Sequence, residues 1–453
     1  MAEVQDAGSA PPSTTGPASG GIKDVGALLE LMLRLGKAEL ASGEAVTQVE
    51  LFMRRMARAY GVGDARIIVL PTAIFVTIEE GDEDRTVLSE GPRENLRLDQ
   101  VADVYALADE AQRGTLEPAD GLLRLTEILR RPSRFRPLVV VLGHAILTVG
   151  LALILLPTFT NLLAAAVLGA LVGGVKMLNR DQPVLSIPMP VVAALMVSAL
   201  VFLAVRYGLK VNPVQLLIPP LVTFLPGAML TLAMVELAYG DMVSGTSRLI
   251  TGFVQLVLLA FGIAAGAALV GVSSEALLAT SVEVGIEPWA AWLGVLVFGV
   301  GVYLHFSAPR WSLLWMLLVL FLAFAAQKAG GLLFGTQISG FFGTLVATPI
   351  GYLIQLRFRG PPAMVTFLPS FWLVVPGSFG LVSVTRMFTD RAAGLDGMVT
   401  AVFVVASIAL GCLVGASLYK WLTEYFGWWW LQIGRVGSYI GRIAQPKRAR
   451  KDD

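Results

Sequence analysis

Between Leu138 and Trp421 ten apolar runs follow one another, most of them near the length that carries a helix across a bilayer (about 20 residues). They are Leu138–Leu156, Leu162–Leu178, Ile187–Val205, Val211–Tyr239, Leu249–Val272, Trp289–Phe306, Trp311–Ala326, Leu332–Leu356, Ala363–Ser383 and Gly397–Trp421. Lipid offers main-chain polar groups no partner, so such runs cross as helices. Charged residues make up 15% of the chain, against about 25% in soluble proteins. They are also unevenly placed: residues 1–137 hold 38 charges and the other 316 residues hold 29. The expected class is a polytopic α-helical membrane protein of ten transmembrane helices preceded by a small soluble piece.

That piece reads as an α+β domain over residues 22–137, after a Pro/Ser/Gly/Ala-rich tail (1–21) expected to be disordered. Helical spacing runs from Lys23 to Leu40 and again to about Tyr60, with Gly61 as the stop. Arg66–Leu70, Ile74–Glu79 and Arg85–Ser89 read as strands, with Gly81-Asp82 as a turn. Helices follow over Leu98–Gln112 and Pro118–Leu129. Glu44, Thr47 and Glu50 fall three apart on one helix face. They read either as a regulatory surface or as a solvated helix start with Ser42 as N-cap; the second is preferred.

No basic-then-apolar leader precedes the domain, so it is expected in the cytoplasm. Arg130, Arg131, Arg134 and Arg136 before the first run, and Lys447, Arg448, Arg450 and Lys451 at the end, put both termini there. Two inner ends require an even number of spans. The loop from Val272 to Pro288 carries Glu275, Glu283 and Glu287 without a cation and suits the outside, whereas Arg206, Lys210, Arg386 and Arg391 do not. Residues 422–453 read as an interfacial helix and basic tail.

Val-Thr-Phe-Leu-Pro occurs twice, at Val222–Pro226 and Val365–Pro369, each time after a Pro-Pro pair. One copy lies in the fourth run and the other in the ninth, so the unit has five spans (138–272 and 289–421). An odd unit repeats upside down, as in many secondary transporters. Pro213, Pro219, Pro220 and Pro226-Gly227 should break the fourth span, and Pro369 and Pro376-Gly377 the ninth. Paired broken helices point to a solute site. Thr223, Pro226, Gly227, Thr366, Pro369, Ser370, Pro376, Gly377 and Ser378 are therefore the candidate substrate-binding residues, on freed N–H groups and flanking hydroxyls. The bland reading has the hydroxyls bonded to their own helices.

Glu236 and Asp241 are the candidate proton carriers; a structural ion pair of Glu236 with Arg248 is as well supported. His144 is a proton relay or a packing histidine, and Gly169 and Gly173 form a small-residue packing pair. No P-loop and no HExxH motif occurs, and the single cysteine, Cys412, excludes an intrachain disulfide. Ala-Tyr-Gly-Asp at Ala238–Asp241 lacks the first glycine and the second aspartate of an intramembrane aspartyl protease. A non-enzyme without metal or cofactor is expected.

Three stretches resemble the threonine/serine exporter family of bacteria. They are Ser42–Glu50 with Met53-Arg54-Arg55 and Tyr60-Gly61, then Phe224–Gly227 through Glu236–Arg248, then Leu368-Pro369-Ser370 with Val375–Ser378. The resemblance implies export of small hydroxy amino acids across the inner membrane, driven by proton antiport. Related proteins are thought to export dicarboxylates such as succinate. The expected partners are a small-molecule substrate, protons and the lipid bilayer, with homo-oligomer formation open and no nucleic acid. A membrane-anchored sensor or scaffold is the other class of function.

Overall fold

The computed structural model describes residues 25–80, 83–92, 95–178, 188–209, 213–271, 288–374, 376–386 and 391–443. The expected disordered tail, the Gly81-Asp82 turn, the acidic 272–287 loop and the basic C-terminal cluster lie outside them.

The front piece follows its hydrophobic pattern. Helices α1 (Val25–Ala41) and α2 (Val46–Ala59) precede strands β1 (Arg66–Leu70), β2 (Ala73–Glu80) and β3 (Glu83–Glu90), then helices α3 (Leu98–Gln112) and α4 (Pro118–Arg130). The strands form an antiparallel meander in which Ile67 faces Val76 and Ile74 faces Ser89. Alternation turns Ile67 and Val69 inward, onto Leu31, Met32, Leu35, Met53, Met56 and Leu107.

Ser42 differs from expectation. Its hydroxyl donates to Ala38 O at 2.9 Å, so it closes α1. Helix α2 starts four residues later at Val46, and its N-cap position, Ala45, supplies no side-chain bond. The cause lies at Gly43, whose φ of 95° is open to glycine and turns the chain before α2 can begin. Glu44 consequently sits ahead of the helix, off the face it was expected to share.

Twelve further α-helices follow among the described residues. The first half comprises α5 (Pro137–Leu155), α6 (Phe159–Leu178), α7 (Met189–Arg206), α8 (Pro213–Leu221), α9 (Gly227–Tyr239) and α10 (Met242–Val270). The second comprises α11 (Pro288–His305), α12 (Leu313–Phe334), α13 (Ser339–Arg357), α14 (Ala363–Val374), α15 (Pro376–Arg386) and α16 (Arg391–Ile443), so that the two halves hold twelve helices in all with α5 included. Among the described residues seven helices are long and apolar enough to cross a membrane. They are α5, α6, α7, α10, α12, α13 and Ala392–Thr423 of α16. The pair Gln215–Phe224 and Gly227–Tyr239, bent by 63°, makes an eighth if taken as one span, and Trp289–His305 and α14 are shorter apolar helices. The chain is a largely helical, polytopic membrane protein.

Two boundaries move. Helix α12 continues through Gln327, Lys328 and Gly330-Gly331, where the sequence suggests a loop, and turns only at Gly335. Gly330 is there for contact: a Cβ on it would come within 2.2 Å of the Phe342 ring. Helix α16 passes residue 422 without interruption.

Glycines set the helix crossings. A Cβ on Gly150 would stand 2.2 Å from Phe298 N, and one on Gly301 2.2 Å from Leu147 N, so α5 and α11 meet backbone to backbone. Gly143 lies against His305 and Gly294 against Ile154, which makes the two helices antiparallel. Gly262 and Gly266 of α10 rest on the carbonyls of Val191 and Leu195 in α7, and Gly411 and Gly415 of α16 rest on those of Phe341 and Leu345 in α13. A hydroxyl ties each of these pairs: Ser198 to Ile263 O at 2.7 Å and Thr344 to Ile408 O at 2.9 Å. Helix α9 also packs on α16 as α15 packs on α10. Gly169 and Gly173 seat α6 against Ala145, Val141 and His144 of α5, as their spacing suggests.

Candidate functional site

The first break is built from Val222–Pro226. Val222–Phe224 make one 3-10 turn, Leu225 is extended, and Pro226 leads into Gly227, the first residue of α9. Proline in this place cannot donate to the preceding turn; Val222 O accepts from Leu225 N at 3.1 Å instead, and Phe224 O accepts from Gln255 Nε2 of α10 at 2.7 Å. The same five residues behave differently in the second half. Val365–Pro369 lie wholly inside α14, so Pro369 does not break the span. The helix ends instead at Val374, and α15 opens at Pro376-Gly377.

The equivalence that survives is one of spacing. Pro219, Pro226 and Gly227 recur at Pro369, Pro376 and Gly377, each 150 positions on. Pro219 and Pro369 lie within the first helices of the two pairs, and Pro226-Gly227 and Pro376-Gly377 stand where the second helices start. The repeated pentapeptide is out of step with this register.

Thr223 is the only candidate hydroxyl, among those whose side chains are described, that leaves its own helix. Lys176 Nζ donates to Thr223 Oγ1 at 3.0 Å, and His144 Nε2 lies 3.2 Å from the same oxygen. Lys176 Nζ also lies 3.2 Å from His305 Nε2 and 5.1 Å from the centre of the Phe224 ring. His144 Nδ1 faces Gly169 O at 2.9 Å and His305 Nδ1 faces Val140 O at 3.1 Å. His305 meets Phe306 edge-on, and Phe306 stacks on Trp372 of α14. By contrast Thr366 Oγ1 donates to Ala363 O at 3.1 Å and Ser370 Oγ to Phe367 O at 2.5 Å, both within α14. Nothing is described of the side chains of Pro376, Gly377 and Ser378.

The acidic candidates occupy a second place, at the end of α9. Gly240 (φ 89°) ends that helix in the left-handed conformation and brings Asp241 round behind Glu236. Glu236 is fully buried. Its Oε2 pairs with Arg248 Nε at 3.1 Å, without hydrogen-bond alignment, and its Oε1 accepts from Val46 N at 3.1 Å. Thr47 Oγ1 donates to Asp241 Oδ2 at 2.6 Å. Glu236 thus caps a free N–H of the first turn of α2, and Asp241 binds the Thr47 side chain of the same turn, where the helix dipole favours negative charge.

The front trio divides accordingly. Glu44 accepts from the Tyr105 hydroxyl, Thr47 reaches Asp241, and Glu50 turns away to Arg54 at 2.8 Å. Burial pushes the carboxyl of Glu44 up, and that of Glu39 well up, the second also because Glu44 lies near.

Lys176, His305, Gln255 and Tyr105 escape the sequence reading. Lys176 looks like an ordinary flanking cation near the end of a span and His305 like a terminal residue. Only the break at Thr223 brings them together. Among the described residues no group of His, Cys, Asp and Glu could hold a metal ion.

No curated protein and no solved structure matches the chain. The family model of the threonine/serine exporters, ThrE, matches residues 30–270. That stretch is more than half of the chain and takes in the front piece, the first break, and both Glu236 and Asp241. The chain belongs to the threonine/serine exporter family.

Proposed function

We propose that this protein exports threonine and serine from the cytoplasm by proton antiport, through two broken spans set in inverted five-helix halves. The observation that carries the proposal is the matched pair of breaks. Pro-x6-Pro-Gly recurs after 150 positions, and in each half the Pro-Gly pair stands where a new helix starts. Inversion is supported by the antiparallel run of α5 and α11, which are corresponding helices under this register. A count of ten spans follows if the two helix pairs are each one span and α11 another. Restarting helices present free N–H groups to a solute carboxylate.

Glu236 is the coupling residue in this reading, with Asp241 beside it. A buried carboxylate held by one guanidinium and one backbone N–H can exchange a proton against movement of the α2 end. The front piece lies on the cytoplasmic side, and the protein resides in the bacterial inner membrane.

Proteoliposomes with an imposed pH gradient test the proposal. Labelled threonine should move against its own gradient when protons move the other way, and Glu236→Gln should leave exchange but abolish gradient-driven accumulation. Threonine that stays put under every gradient removes the exporter reading, and faster movement of succinate would replace the substrate. Unchanged coupling in both Glu236→Gln and Asp241→Asn removes the coupling assignment.

A further inference from the structure

We propose that Lys176, with Thr223 and His305 around it, is the group that binds the carboxylate of the transported solute; this rests on the exporter reading and gives it a residue. Hydrogen-bond accounting leads there. His144 Nδ1 and His305 Nδ1 each face a main-chain carbonyl, so both must carry hydrogen there. Their Nε2 atoms are then acceptors. Thr223 donates to His144 Nε2 and so accepts from Lys176, and Lys176 donates its second hydrogen to His305 Nε2. Every partner offered to the ammonium is a neutral acceptor, and its remaining face meets the Phe224 ring.

Among the described residues no carboxylate pairs with Lys176. A cation part-buried against an apolar helix bundle is costly without an anion. The described residues leave that anion to be supplied. Lys176, Thr223, Phe224, His305, Phe306 and Trp372 are each only part-buried, so the group keeps accessible surface. They come from α6, the first break, the end of α11 and α14, and so from both halves. A carboxylate would meet an ammonium and a hydroxyl on one side and aromatic faces on the other. That set suits a small amino or hydroxy acid and gives an uncharged analogue nothing equivalent.

The test is titration calorimetry of the full chain in nanodiscs with L-threonine and with L-threoninol, which replaces the carboxylate by an alcohol. Wild type should bind threonine and lose at least tenfold with threoninol. Lys176→Met should weaken threonine at least tenfold, and Lys176→Arg should keep most of the affinity. Asp181→Asn, which removes the carboxylate five positions on in the sequence, should change nothing. Equal binding of threoninol, normal threonine binding by Lys176→Met, or an equal loss in Asp181→Asn overturns the assignment. Should Lys176→Met fail to fold, threoninol and Lys176→Arg decide. A wild type that binds threonine but moves none in proteoliposomes sinks the exporter reading and leaves this site standing. Transport unimpaired in Lys176→Met does the reverse.

Discussion

Thr223 and Glu39 show how far a single side chain depends on its surroundings. Thr223 is one of several hydroxyls near the prolines, and nothing local distinguishes it from Thr366. The difference is that Thr366 finds Ala363 O within its own turn, whereas Thr223 sits where the turn has come apart and faces Lys176 and His144. Thr223→Val, isosteric and without hydrogen-bonding power, should cut threonine transport at least tenfold while Thr366→Val changes it less than twofold; uptake rates in proteoliposomes check both. Glu39 gives a pH prediction. Burial, and then the charge of Glu44, raises its carboxyl well above the ordinary value, so the folded state holds a proton that the unfolded chain releases. Stability from this residue is therefore complete at acid pH and falls as pH rises toward the raised folded value. Glu39→Gln should melt higher than wild type at pH 8, with the gap closing toward pH 4, as scanning calorimetry would show.

At the scale of elements, the start of α2 departs most from expectation. Ser42 and Glu44 look like cap and first-turn acid, yet the cap comes from far along the chain, as Glu236, with Asp241 on the Thr47 hydroxyl beside it. No local pattern could reveal this, because the partners lie 190 and 194 positions away. Thr47→Ala and Asp241→Asn should each speed amide exchange at Val46–Val49 by severalfold, with no further change in the double variant; an additive double effect would mean the two side chains act separately. Arg206 is a similar case. The sequence counts it as a misplaced cation, but its guanidinium donates to Val270 O at 2.7 Å, at the negative end of α10. The glycine crossings are simpler to test. Gly150→Ala and Gly301→Ala each push a methyl into partner backbone and should cost about 1–3 kcal/mol, read as a lowered melting temperature in detergent.

The whole molecule was legible in outline. Apolar runs reveal membrane helices, period-two and helical patterns give the front elements nearly residue by residue, and Pro226-Gly227 marks one bent helix pair. The register of the halves was not legible. Val-Thr-Phe-Leu-Pro is the conspicuous repeat, yet its copies adopt a 3-10 turn and an α-helix, because context decides the conformation of five residues. The faithful markers are a few prolines and glycines, which repeat for backbone reasons that identity does not display. One consequence lies in the fastenings of the front piece. Val46 and Thr47 hold the end of α9, while Leu98 N bonds Phe306 O at 3.1 Å and Ser133 meets Ser307 at 2.9 Å beyond α11. The front piece is thereby stapled both to the end of α9 and to the residues that follow α11. Any movement of α9 relative to α11 must stretch or release that staple, so the helical part cannot shift there without tugging on the front piece.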